Sequence, residues 1–189
     1  MVHESLAWRR SFAIADVTDA DLLQEHHDQG AVYRHGVDRC GRPLLWMIGR
    51  KHRKSSALAT HQRRYLAAQF ERYAAAHPGE QCVVLLDADA TGMSHMDFDF
   101  ISFLLACVKT YYPSIMAYIL IYNLPWVLEF AWTIIKTWLH PKAVARVRFV
   151  PLKDVGQYVD EEQRPKYMGG SDEYVYKYDG PAGKPTPKA

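Results

Sequence analysis

The chain has 189 residues, 49% of them hydrophobic, with 23 Lys and Arg against 21 Asp and Glu and a net charge of +2. That length predicts one domain burying roughly 70% of its unfolded surface, the hydrophobic share excludes a disordered chain, and the small charge gives no argument for nucleic acid. Cys40, Cys82 and Cys107 are odd in number and lack CxxC spacing, which excludes a disulfide framework and predicts a reducing compartment.

Residues 1–10 carry charges and no apolar run of the signal-peptide kind. Leu6-Ala7-Trp8-Arg9-Arg10 reads as the end of a helix cut off upstream. Thr18 and Asp19 offer a cap for a short helix over 20–29, stopped by Gly30. A strand is predicted over 32–36, a turn at Asp38-Arg39-Cys40-Gly41, and a second strand over 44–49. Residues 51–54 form a basic loop. A long helix follows over 56–77, with Leu58, Tyr65, Leu66, Phe70 and Tyr73 near one stripe. Residues 82–86 are an unbroken apolar run ending in Asp87, the mark of a buried central strand. A helix over 96–112 is closed by Pro113.

The densest apolar stretch comes next. Residues 115–122 have two apolar faces, as in a strand covered on both sides. Asn123-Leu124-Pro125-Trp126 turns the chain into an oily helix over 127–139, so the stretch is not one uninterrupted membrane span. On that helix Glu129, Thr133, Lys136 and His140 form one narrow polar stripe among Trp126, Phe130, Trp132, Ile134 and Trp138. A helix apolar nearly all round is normally buried. Here core packing, an apolar ligand, a partner or a bilayer surface would each do it. A strand over 144–150, a short helix over 153–158, a glycine-paired loop over 165–170 and an edge strand over 174–178 complete the chain, before a Pro/Gly/Lys tail at 180–189. Helices and strands alternate, which predicts an α/β sheet.

Catalytic signatures are sparse. There is no Gly-x-Ser-x-Gly elbow, Walker loop or Gly-x-Gly-x-x-Gly. Asp87 and Asp89 end a central strand, where open α/β sheets place ligands. The plainer reading is that Asp87 caps the following turn. His26, His27 and His95 have no metal spacing, and Cys40 has no neighbouring base.

Six short segments, in order, resemble the CRAL-TRIO lipid-binding family: residues 38–43 entering a strand, Val83 to Asp87 with Gly92, Tyr111-Tyr112-Pro113, Asn123-Leu124-Pro125-Trp126, Ala131-Trp132 with Lys136, Leu139 and Pro141, and Pro165-Lys166-Tyr167-Met168-Gly169-Gly170. Details at 93–100 and 135–139 look similar to the motile sperm domain-containing protein 2 type. In that type the lipid module precedes a motif-binding domain and a membrane anchor.

The resemblance implies a mixed, mostly parallel sheet of about five strands flooring an apolar cavity, flanked by helices, with the helices on the face away from the cavity. The helix after Pro125 would be a movable gate. Residues 1–15 would be the remnant of a largely missing helical lobe, 16–179 the lipid-binding domain and 180–189 a flexible tail. It further implies a non-enzymatic protein without cofactor. Phe103, Cys107, Tyr111, Ile121, Trp126, Phe130 and Ile134 would line or gate the cavity, with Lys136 and Arg146 as head-group contacts. In phosphatidylinositol-transfer relatives an acidic-basic pair follows Tyr-Tyr-Pro; here Ser114-Ile115 stands in its place, while Arg146 aligns with a basic head-group residue. The expected partners are a phospholipid or other small lipid and a membrane surface, with no nucleic acid. The expected setting is the cytoplasmic face of a membrane, that of the endoplasmic reticulum through a membrane-anchored parent. Two rivals stand beside this: a module docking a protein through the same apolar helix, and an enzyme using Asp87 and Asp89.

Overall fold

A computed structural model describes residues 2–112, 114–178 and 180. The tail expected at 180–189 therefore lies outside the described residues, apart from Gly180. Five strands form one sheet in chain order: β1 (Val32–Val37), β2 (Pro43–Ile48), β3 (Cys82–Asp87), β4 (Met116–Tyr122) and β5 (Val147–Val150). β1 pairs with β2 antiparallel, and the other pairings are parallel. β2 and β3 read as continuous apolar runs because both of their faces are covered.

The two faces have different covers. Leu45, Met47, Cys82, Val84 and Ile119 face the long helix α3 (Ala59–Ala76) and α4 (Phe98–Ala106) in one apolar cluster. Leu44, Trp46, Val83, Leu85, Leu120 and Tyr122 face the other way, against Val155, Val159 and Met168 of the C-terminal segment. That second cover is a chain of 3-10 turns, beginning with Leu152–Gln157.

Several sequence expectations are corrected. The helix over 20–29 is two pieces, a 3-10 turn Asp19–Asp21 and α2 (Gln24–Gln29). The Asp21 carboxylate accepts from the Thr18 N–H and hydroxyl at the start of the first piece, and Leu22 ends it by turning to extended backbone. The helix over 96–112 starts at Phe98, because the Asp97 carboxylate accepts from the Phe100 N–H at 3.0 Å and caps it there. It then widens into a π-helical turn, Cys107–Tyr111. The oily helix over 127–139 is broken into a 3-10 turn Trp126–Leu128, α5 (Glu129–Ile135) and a second 3-10 turn Lys136–Trp138. The strand over 144–150 is short, because α6 (Pro141–Val144) takes its first residue. Residues 173–178 are not a strand. Their alternate tyrosines pack on rings instead, Tyr174 stacked on His35 at 3.7 Å, Tyr176 tilted against Tyr33 at 5.2 Å and Tyr178 stacked on His27 at 4.2 Å.

Helix α1 (Val2–Phe12) docks on the π-helical turn. Trp8 lies flat on Tyr111 at 3.9 Å between ring centroids and stacks on Phe12 at 4.9 Å. Ser5 Oγ donates to the Tyr111 carbonyl at 2.9 Å, and Arg9 pairs with Glu71. Trp8→Ala is expected to lower stability by about 2–3 kcal/mol, below the full-core value because the ring is only half-buried. The midpoint of urea unfolding checks this.

Candidate ligand cavity and basic pocket

An apolar cavity of about 130 Å³ lies on the helix-bearing face, at the carboxyl ends of β2 and β3. Met47 and Leu86 form its floor, Phe100, Ile101 and Leu104 of α4 one wall, and Leu124 and Leu128 its cover. The sheet thus floors the cavity on the same side as α3 and α4. The opposite face, expected to be the open one, is packed solid by Val155, Val159 and Met168. His52, His95 and Asp97 stand at the cavity's polar edge. Burial alone would raise the Asp97 carboxyl, but the Phe100 N–H and His52 outweigh it and hold the group below its usual range.

The cover belongs to the broken helical segment. Leu128 and Ala131 are buried, whereas Trp126 is 82% exposed, Phe130 45%, Ile134 41% and Trp138 40%. The segment therefore presents a few residues inward and a row of large apolar side chains outward. Its outer side forms an open groove of about 560 Å³ with Trp132, Phe149 and Pro151. Asn123, at the root of the segment, is held in the left-handed region at φ 49°. Its amide donates to Asp89 at 2.6 Å. No helix among the described residues is long and apolar enough to cross a membrane.

A third concavity, of about 440 Å³, lies on the opposite face at the other end of the strands. Arg39, Arg42, Arg146 and Arg148 line it, with Tyr118 and Tyr158. Arg42 is committed to Asp38 and Arg39 to Asp160. Arg148 lies over the Tyr118 ring at 4.2 Å. Among the described residues, Arg146 and Arg148 make no ion pair.

The nine sequence-predicted residues fall into separate places. Phe103, Cys107 and Tyr111 pack toward α1, with Phe12–Phe103 at 5.8 Å and Trp8–Phe103 at 6.4 Å. Burial pushes the Cys107 thiol well above its ordinary value, so it is inert. Ile121 is half-buried against the same cluster. Trp126, Phe130 and Ile134 lie on the outward side of the cover, and Lys136 is exposed beside them. Arg146 is across the sheet in the basic pocket. The residues that form the cavity's helical wall and cover (Phe100, Ile101, Leu104, Leu124, Leu128) come from the same two sequence stretches, one step round each turn.

The carboxylates considered for catalysis are occupied. Asp87 is fully buried, accepting from Arg50, from the Tyr167 hydroxyl at 2.8 Å and from the Asp89 N–H at 3.1 Å. The last of these is the turn cap expected from sequence. No cluster of three or more metal-ligating side chains occurs among the described residues.

The family profile described as "CRAL/TRIO domain" matches residues 27–170. A phosphatidylinositol transfer protein CSR1 of Eremothecium gossypii is 29% identical over 165 residues, covering 86% of this chain and 38% of that protein. A CRAL-TRIO domain-containing protein of Schizosaccharomyces pombe is 27% identical over 192 residues, covering 96% of this chain and 43% of the relative. The chain thus spans less than half the length of these curated relatives. The crystal structure of Sfh5 superposes with a TM-score of 0.65 at 18% identity, over 91% of this chain and 66% of that one, and supports the fold. With a profile match over most of its length and the five-stranded sheet beneath it, the chain belongs to the CRAL/TRIO domain family.

Proposed function

We propose that the chain binds a lipid in the cavity beneath the 123–139 segment and exchanges it with membranes, without catalysing a reaction. The observation that carries this is the contrast across that segment: Leu124 and Leu128 line an apolar cavity on one side while Trp126, Phe130, Ile134 and Trp138 face outward on the other. A helix built to close a core has no use for the second set. A gate that lies open on a bilayer and closed over a cargo uses both, since Trp and Phe suit the membrane interface. The names of relatives, a phosphatidylinositol transfer protein and a phosphatidylinositol/phosphatidylcholine transfer protein of Arabidopsis thaliana, point the same way.

The cavity of about 130 Å³, partly open to solvent, is below the ~300 Å³ at which small-molecule pockets begin. Entry of a lipid therefore requires the segment to swing outward, and the junction at Asn123-Leu124-Pro125 is the proposed hinge. Its division into 3-10, α and 3-10 pieces leaves few continuous helical hydrogen bonds to resist the motion. Arg146, with Arg148 beside it, lies across the sheet from the cavity and does not meet the head group of a lipid enclosed there; a separate anionic group is the proposed contact for this pair, and Lys136 would meet the membrane. The proposed setting is the cytoplasmic face of a membrane, with the endoplasmic reticulum as one such surface. A finer placement with the motile sperm domain-containing protein 2 type rests on 93–100 and 135–139 alone, and the relatives named above do not support it.

Phe130→Asp tests the gate. The side chain is exposed, so stability should move by no more than ~0.5 kcal/mol. Extraction of fluorescent phosphatidylcholine from vesicles should fall at least tenfold. Wild-type rates in the variant would reject the gate. An organic extract of the purified chain without lipid, together with no uptake from vesicles, would reject lipid binding and leave the protein-docking reading.

A further inference from the structure

The apolar cavity has a polar annex. A recess of about 30 Å³ adjoins it, and Ala31, Val32, His52 and Phe100 line both spaces. Three of the recess's polar side chains are engaged: Gln29 with the Lys51 carbonyl, His52 with Asp97 at 3.1 Å and Tyr65 with the Val32 carbonyl at 3.2 Å. The other two are left with orphaned atoms. Nε2 of His26, a residue 6% exposed, and Oε1 of Gln62 are both buried without a hydrogen-bond partner among the described residues.

The chemistry of the two orphans is defined. The Gln62 amide donates its Nε2 to the Arg53 carbonyl at 2.8 Å, so Oε1 is left as an acceptor. Burial, reinforced by His61, His27 and His52 against Glu25, lowers the His26 pKa, and its imidazole is neutral at pH 7. A neutral imidazole offers either a donor or an acceptor at Nε2. With the His26 proton on Nε2, the group that satisfies both at once donates one hydrogen to Gln62 and accepts one from His26. A hydroxyl does this. A carboxylate or phosphodiester offers Gln62 no hydrogen, and a hydrocarbon end satisfies neither atom. At about 30 Å³ the recess suits a small polar group such as a single oxygen and is too small for a phospholipid head group.

We infer that the cavity takes a lipid alcohol, an apolar molecule ending in one hydroxyl that is held between His26 and Gln62 at the closed end. The inference rests on the lipid-binding reading above and narrows it, since the polar end of the ligand then points inward. It also gives a role to His26, one of two adjacent buried histidines of α2 whose Nε2 has no hydrogen-bond partner among the described residues.

The test uses hexadecan-1-ol and its methyl ether, 1-methoxyhexadecane, which share a chain and differ in the donated hydrogen. Each is offered to the full chain in phosphatidylcholine vesicles. After the vesicles are removed, the retained ligand is measured by mass spectrometry and scaled to what remains in the membrane. The alcohol should be retained at least tenfold over the ether, because a site with buried polar groups rejects an analogue that leaves them unpaired. Gln62→Met and, separately, His26→Leu should cut that preference below threefold while ether retention holds or rises. Equal retention of alcohol and ether by the unaltered chain would overturn the inference and leave the lipid cavity standing; an ordered water would then be the occupant of the recess. Phosphatidylcholine carried in preference to the alcohol would also overturn it. Retention of neither compound nor of phosphatidylcholine would remove the lipid-binding reading, and the inference with it. If both variants fail to fold, the ratio in the unaltered chain decides.

Discussion

Asp38→Ala is expected to destabilise the protein by about 3–5 kcal/mol, because one buried carboxylate holds four donors. Its Oδ1 accepts from the backbone N–H groups of Cys40 and Arg42, each at 2.8 Å. Its Oδ2 accepts from the Tyr118 hydroxyl at 2.7 Å and the Arg42 guanidinium at 3.1 Å. The group is 3% exposed, so water does not replace what is lost. With roughly 2–4 °C per kcal/mol for a chain of this size, the melting temperature should fall by about 6–20 °C. Asp38→Asn should do less harm, since its amide oxygen still serves the turn, but its N–H₂ then meets the Arg42 guanidinium.

The same carboxylate sets an acid limb. Burial by itself would raise its pKa, but the hydrogen bonds from Tyr118, Arg42 and Cys40 outweigh that and hold it below the ordinary carboxylate range. A depressed folded-state pKa contributes stability above the unfolded value of about 4, and that contribution is lost as pH falls through the folded value. Urea midpoints between pH 7 and pH 2 should therefore drop less steeply below pH 4 in Asp38→Asn than in the wild type. Parallel curves would refute this account of the turn.

Gly170→Ala is the second large effect, expected at about 3 kcal/mol or more by forced displacement of backbone. A methyl group there would stand 2.0 Å from the Arg164 carbonyl oxygen and 2.6 Å from its carbon, and neither can rotate away. The loop it would push apart carries three backbone bonds, Gly170 to Pro165, Ser171 to Glu161 and Asp172 to Arg164. It also seats the fully buried Met168 and aims Tyr167 at Asp87. Gly92→Ala is the control, since nothing lies within 4 Å of its added methyl and its backbone is extended; its change should stay within ~0.5 kcal/mol. Equal thermal shifts for the two variants would show that close approach at Gly170 is not what holds the loop.

The central sheet was the most legible part of the chain. Runs such as Cys82–Asp87 and Met116–Tyr122 are apolar on both faces and short, as buried parallel strands are. Alternation was less informative at 174–178. It reports that every second residue faces the protein, and tyrosines packed on rings meet that condition as well as a paired strand does. The cavity was legible as a region but not as a residue set. Phe98–Ala106 is apolar on nearly every side, so spacing cannot tell which side meets α1 and which borders empty space. Phe103 and Tyr111 therefore read much like Phe100 and Leu104, although the first pair touches Trp8 and the second lines the cavity. Arg148 escaped notice because a basic residue in a strand pattern reads as a solvated edge. Its place over Tyr118 depends on the register of β4 and β5, and its contact with Tyr158 on the C-terminal segment folding back.

The strands lie side by side in the order in which they are made, so each emerges from the ribosome next to a finished neighbour and none must be wedged between two already paired. The clasps come last. Tyr158 closes over the turn at Arg39, and Tyr167 reaches Asp87, only after the whole sheet has been translated. A nascent chain halted just past β5 would hold all five strands and still expose the face that Val155, Val159 and Met168 later cover.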